Sequence, residues 1–213
     1  MEELEVAEET ELRLVARRTW RFFTTFVVAQ DNFLPPDNFQ EDPQPVIAHR
    51  TSPTNFGLYL LSVVSARDFG WIGLTDMMRR LEATMETLHK LPRYHGHFYN
   101  WYETERLEVL SPRYISTVDS GNLAGHLFAL AQACKDAKEQ SVLRPTIVAG
   151  MRDAVLLLRL AIDGIGQELR TQAVTINELR KSTEQFSDFL LTTNAISPCL
   201  LYTSDAADEG LGV

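Results

Sequence analysis

The sequence predicts an all-α protein with one aromatic segment that reads as a short β-hairpin. Three observations carry this. Apolar residues recur at i, i+3, i+4 and i+7 through six stretches, the period of a half-buried helix. Helix boundaries are written in Ser-Pro, Gly and Pro. One segment, residues 96–126, breaks the pattern: GHFYNWYETERLEVLSPRYISTVDSGNLAGH holds five aromatic side chains and two histidines beside a VDSGN run.

The elements follow in order. Residues 1–11 (MEELEVAEETE) are an acidic, solvated helix start. Leu12, Val15, Ala16, Phe23, Phe26 and Val27 then share one face of a helix from Leu12 to Val28. Pro35, Pro36, Pro43 and Pro45 make residues 31–52 an irregular connection. Ser52-Pro53 pairs a capping hydroxyl with proline at the first helical position, opening a helix that runs to Phe69 and stops at Gly70. Gly70–Gly73 (GWIG) is a turn. Leu74, Met77, Met78, Leu81, Met85 and Leu88 form the stripe of the next helix, closed by Pro92. Ser120 opens a helix to Lys138, with Leu123, Leu127, Leu130, Ala131 and Cys134 on one side. Two more helices are expected over 142–162 and 167–192. In the aromatic segment, Phe98, Asn100 and Tyr102 alternate with Tyr99 and Trp101, and residues 113–118 have a similar mix. The two runs pair as a hairpin around the loop ETERLEVLSP.

Composition restricts the partners. The chain has 213 residues and a formal net charge of −9, which disfavours nucleic acid or an anionic membrane surface, since both select clustered Lys and Arg. A neutral or weakly polar ligand fits better. No apolar run approaches the ~20 residues of a membrane span, so no direct membrane insertion by this segment is expected. The tail CLLYTSDAADE (199–209) matches one reading frame of a sequencing-library adapter. We therefore expect native sequence to stop near Pro198, residues 199–213 to be a non-native tail, and the chain to be a fragment. Cys134 is then the one cysteine to interpret, a small core residue.

Aromatic rings beside amides and carboxylates suit a sugar, whose C–H face stacks on Trp or Tyr while its hydroxyls need fixed polar partners. Trp71, Tyr99, Trp101 and Tyr102 offer rings. Asn55, His95, His97, Asn100, Asp119 and Asn122 offer partners. The same residue types serve equally as ordinary core and rim. Asp119 and Ser120 divide likewise: Ser120 as a helix cap with Asp119 complementing the helix's positive end, or Asp119 gripping a hydroxyl or acting as acid or base. His95 and His97 would share a strand face, yet no third ligand stands at metal spacing, so no metal or other cofactor is expected. No phosphate loop and no G-x-S-x-G elbow is present.

The segments RRTWRFFTTFV (17–27), NFLPPDNFQEDP (32–43), AHRTSPTNFGLYLLSVVSARDFGWIGL (48–74) and GHFYNWYETERLEVLSPRYISTVDSGNLAGHLFALAQA (96–133) together resemble the glucoamylase-like region of cyclic β-1,2-glucan synthases. The resemblance is close over residues 12–138. It implies an (α/α) toroid of six helical hairpins, of which residues 1–198 would be the N-terminal half, with the aromatic hairpin on the rim of its cleft. It implies β-1,2-glucan as the ligand and a transglycosylation that closes a linear chain into a ring. It also implies a large bacterial protein, anchored at the cytoplasmic side of the inner membrane through other segments, whose remaining domains are this chain's partners. The glutamate pair of such chemistry is implied to lie further along the polypeptide. Here Asp119 is the candidate supporting carboxylate. Arg50, Thr51, Ser52, Asn55, Tyr99, Asn100, Trp101, Ser120 and Asn122 are the candidate subsite contacts, while Glu103 and Asp68 are assigned to capping or solvent. The alternative is a non-catalytic helical scaffold that orients neighbouring domains. Half a toroid would leave apolar helix faces uncovered, so the isolated fragment is expected to associate or remain molten.

Overall fold

The computed structural model of the chain describes residues 6–142, 144–164 and 176–192. Six α-helices dominate them: α1 (Val6–Phe26), α2 (Pro53–Asp68), α3 (Leu74–Lys90), α4 (Thr117–Glu139), α5 (Thr146–Gly164) and α6 (Ile176–Thr192). Six strands of two residues each pair as β1 (Phe39–Gln40) with β2 (Val46–Ile47), β3 (Arg50–Thr51) with β6 (Tyr102–Glu103), and β4 (Arg93–Tyr94) with β5 (His97–Phe98). The mostly helical expectation holds. The tail, and the expected start of the last helix at 167, lie outside the described residues.

The chain divides into two compact units. The larger comprises Arg18–Arg67 and Ile72–Gln140. Its core gathers Trp20 of α1, Val27 just after it, Phe56, Tyr59, Leu60 and Val63 of α2, and Met77, Leu81 and Leu88 of α3, all buried. Gly57 lets α4 approach α2 closely: a Cβ there would stand 2.1 Å from the His126 ring. The loop after α1 is tied down by hydroxyls of α3, with Thr84 donating to the Phe33 carbonyl (2.9 Å) and Thr87 to that of Asn32 (2.7 Å). Buried Asp31 accepts from the Thr104 hydroxyl and faces His49 Nδ1 at 2.7 Å, a hydrogen bond that raises the imidazole pKa.

The second unit comprises the described residues of Met1–Arg17, Asp68–Trp71 and Ser141–Val213. Here α5 and α6 pack on each other. Arg13 ion-pairs with buried Asp153 (2.7 Å), Trp71 donates its indole N–H to the same carboxylate (2.7 Å), and Trp71 stacks on Phe69 at 4.6 Å. Trp71 is therefore occupied within this unit, while Tyr99, Trp101 and Tyr102 belong to the larger one.

Several sequence expectations change in detail. Leu12 and Val15 are exposed, because the side of α1 that packs in the second unit carries Arg13 and Arg17, whose guanidiniums lie over the Phe69 and Trp71 rings. Met78 and Ala131 are likewise exposed. Helix α5 begins at Thr146, not Val142, since Pro145 disfavours a helical residue before it. Helix α4 begins at Thr117, capped by Ser116, three residues before the expected start. His95 sits in the β4–β5 turn with φ 49°, followed by Gly96 at 85°, a left-handed pair that suits a tight hairpin turn. His95 and His97 thus do not share a strand face. Cys134 is a half-buried free thiol in α4.

The hairpin around the aromatic segment exists with different partners. Tyr102 bridges Val109 across the turn and pairs in register with Thr51 of β3 on its other side. Asn100 N donates to the Tyr114 carbonyl (2.9 Å), but Thr117 and Val118 belong to α4. The alternation is preserved: Asn100, Tyr102 and Thr104 are buried while Tyr99, Trp101 and Glu103 are half-exposed. Tyr102 is 0% exposed and burial pushes its phenol up to about 12. Its hydroxyl donates to the Pro92 carbonyl and accepts from the Tyr99 N–H (2.7 and 2.8 Å). Tyr102→Phe strands both groups, a cost of about 1–3 kcal/mol. Hydrogen exchange at the Tyr99 amide is expected to accelerate at least tenfold in this variant, and unchanged protection would show that the hydroxyl anchors nothing.

Candidate functional site

The starts of α2 and α4 meet the aromatic segment within the larger unit. At α2, Ser52 Oγ accepts from the Asn55 amide (3.4 Å), the cap expected from Ser-Pro. At α4, Ser116 Oγ accepts from the Asp119 amide (3.1 Å), placing Asp119 in the first turn, where the helix end favours a negative charge. Ser120 donates its hydroxyl to the Ser116 carbonyl (2.8 Å) inside the helix, so it does not cap it.

Asp119 joins these parts. Hydrogen bonding with the side chains of Ser116, Thr54 and Ser52 and with the backbone of Thr54 favours the charged form of its carboxylate. Burial alone would raise its pKa, but those hydrogen bonds outweigh burial and hold it below the usual carboxylate range. A further partner is Asn100. With Oδ1 toward the Tyr114 hydroxyl (2.7 Å) and the Trp101 indole N–H (2.6 Å), its Nδ2 donates to Asp119 Oδ2 at 3.1 Å. The opposite orientation would set amide oxygen against carboxylate and N–H against N–H, so the first is the one that the surroundings satisfy. Asp119 is thus held ionised, suited to holding the frame and unsuited to acting as a general acid.

The remaining candidates fall into place around this knot. Thr51 is 0% exposed with its hydroxyl unpaired, and Ser52 and Asn100 are buried. These three build the frame and do not meet solvent as subsite contacts would, while Ser120 is half-buried with its hydroxyl spent on the Ser116 carbonyl. Tyr102, offered as a ring, is sealed in the core. Arg50 and Asn122 are exposed, and Trp101 and Asn55 are half-buried. Arg50 lies over the Trp101 ring at 4.9 Å and spends Nε and Nη2 on Asp37 Oδ2 (3.1 and 2.9 Å), leaving three of its five N–H donors unspent on that pair. Asn55 Nδ2 reaches Asp37 Oδ1 at 3.4 Å. Asn122 donates to the Thr54 hydroxyl (3.2 Å), which passes the polarity on to Asp119. Glu103 accepts from the amides of Glu105 and Arg106 (3.0 and 2.6 Å), the capping role expected of it, and Asp68 pairs with Arg144.

Sequence reasoning missed Asp37, Thr54, Tyr114 and Ser116. The pattern Ser116-x-x-Asp119 is a capping-box spacing and would have marked the start of α4. Nothing in the spacing of Asp37 announces its pairing with Arg50. Among the described residues no group of His, Cys, Asp and Glu is arranged to hold a metal ion, and no helix is long and apolar enough to cross a membrane.

No protein-family profile matches the chain. Over 187 residues, 86% of its length, it is 50% identical to the cyclic beta-(1,2)-glucan synthase NdvB of Rhizobium meliloti (strain 1021). It spans 6% of the length of that protein. Identity at half the positions over almost the whole chain shows common descent with that stretch of a cyclic β-1,2-glucan synthase, and the resemblance to such synthases read from the motifs holds.

A carboxylate whose folded pKa lies below its unfolded value of ~3.9 stabilises the fold above that pH and loses the contribution as pH falls through the folded value. Carboxyl NMR titration is expected to place Asp119 below ~3.9, with Asn100→Ala shifting it upward. A wild-type value at or above that reference would refute the assignment of Asp119 as a carboxylate held ionised by hydrogen bonds.

Proposed function

We propose that this chain is a segment of a cyclic β-1,2-glucan synthase and forms part of the substrate cleft of its glycan-processing domain. In this reading the helices belong to an (α/α) toroid of the glucoamylase-like kind, and the β3–β6 face is the rim of its cleft. The observation that carries the proposal is the Asn100 amide, which binds the Trp101 indole and the Asp119 carboxylate at once and fixes a half-exposed ring beside an exposed, partly committed guanidinium. A pyranose stacks its C–H face on the indole, and its hydroxyls accept from Arg50 and pair with Asn55 and Asn122. The reaction served is transglycosylation that closes a β-1,2-glucan chain. Asp37 and Asp119 are both committed to hydrogen bonds, so the carboxylate pair, ~5–5.5 Å apart in a retaining enzyme, is supplied by other parts of the polypeptide. By itself the chain is inactive. Membrane anchoring belongs to the same other parts.

A second reading is a non-catalytic scaffold orienting neighbouring glycosyltransferase and phosphorylase-like domains. The burial of Thr51, Ser52 and Asn100 and the hydrogen bonding that holds Asp119 ionised favour it, because these groups serve the fold first.

Trp101→Ala in the longer polypeptide separates the two. A stacking platform predicts a loss of glucan affinity of about thirtyfold, or ~2 kcal/mol, by calorimetry, with a small change in melting temperature. Unchanged affinity per folded molecule with a large fall in melting temperature would establish the scaffold.

A further inference from the structure

The turn after β6 builds a second constellation that the Asp119 knot leaves unused. Leu107 adopts φ 61°, a left-handed conformation that costs a branched, non-glycine residue energy. The chain returns through it so that Leu110 N donates to the Trp101 carbonyl (3.0 Å) and Val109 faces Tyr102. Beside these two arms opens a cleft of about 530 Å³, lined by Pro92, Tyr99, Leu107, Glu108, Val109 and Arg113. Its volume falls within the ~300–1,000 Å³ of small-molecule sites. Tyr99 is half-buried and held edge-on to the Tyr102 ring at 6.5 Å, so it offers a fixed aromatic surface. Glu108 and Arg113 are exposed. One acid and one base give a lining of no net charge, rich in both acceptors and donors. That chemistry selects a neutral polyhydroxyl ligand over an anion or a cation.

The cleft adjoins the first site through the backbone. Tyr99 and Trp101 are alternate residues on the outward side of one extended run, about 7 Å apart along it. Arg113 precedes Tyr114, whose carbonyl accepts from Asn100 N.

We propose that the Tyr99–Glu108–Arg113 cleft is a second carbohydrate subsite, which binds a further glucosyl unit of the chain held at Arg50 and Trp101. Tyr99 supplies the stacking surface, Arg113 donates to ring hydroxyls and Glu108 accepts from them. The assignment rests on the glucan-binding reading above and extends it from one subsite to two.

The test is calorimetric titration of the longer polypeptide with linear β-1,2-gluco-oligosaccharides of increasing length. Wild-type affinity is expected to rise with length. Arg113→Ala and Glu108→Gln, both at exposed positions, should each remove roughly tenfold of the affinity for the longer oligosaccharides while leaving that for the shortest unchanged. Tyr99→Ala should do the same more strongly. If Trp101→Ala weakens binding while the three cleft variants bind every length as wild type does, the second subsite is refuted and the first stands. If the wild-type protein binds no oligosaccharide of any length, both fall together.

Discussion

The larger unit depends on one carboxylate held in its charged form by polar groups from three elements. Asp119 sits in the first turn of α4, yet most of its partners come from elsewhere: Ser52 and Thr54 at the start of α2, and Asn100 in the aromatic segment. A partly buried charge is tolerable when paired with dipoles of this kind and costly when it is not. The two helix starts and the loop are thereby required to arrive together. Seen this way, the dense mixture of aromatic and polar residues at 96–126 is a consequence of geometry, because a non-helical run must satisfy its backbone while bridging two helix ends.

That constraint separates residues that look alike in sequence. Asn100 and Asn122 are both asparagines, but the first is buried with its amide bound to Asp119, Tyr114 and Trp101, and the second is exposed and linked to the knot through Thr54. Thr51 and Arg50 are adjacent in β3 and point to opposite sides, one into the core and one over Trp101. Period-two alternation in an extended segment makes such divisions automatic. The surface that remains for a ligand is a narrow strip of Arg50, Trp101, Asn55, Asn122 and Tyr99, carried on a rigid interior.

Much of the fold was legible. Ser52-Pro53, Gly70 and the Met77–Leu88 stripe each mark an element by local chemistry that tertiary contacts did not override. The start of α4 was misplaced because Ser120 and Ser116 are both capping residues, and only Ser116 stands three positions before a carboxylate in the first turn. The outward side of α1 was misread because arginines, not aliphatic residues, cover Phe69 and Trp71, and a guanidinium can lie flat on a ring. Of the site, the aromatic strip and Asp119 were visible. Asp37, Thr54 and Tyr114 were not, since their roles come from contacts 13 or more positions away along the chain or from a donor across a helix pair, which no periodicity records.

The central claim is that Asp119 couples three elements. It is tested most directly by amide hydrogen exchange compared between wild type and Asp119→Ala. The account predicts that protection falls together at the first turn of α4, the first turn of α2 and the amides of residues 100–102. Loss of protection confined to the first turn of α4, with α2 and the Trp101 segment unchanged, would contradict it and reduce Asp119 to an ordinary helix-end residue.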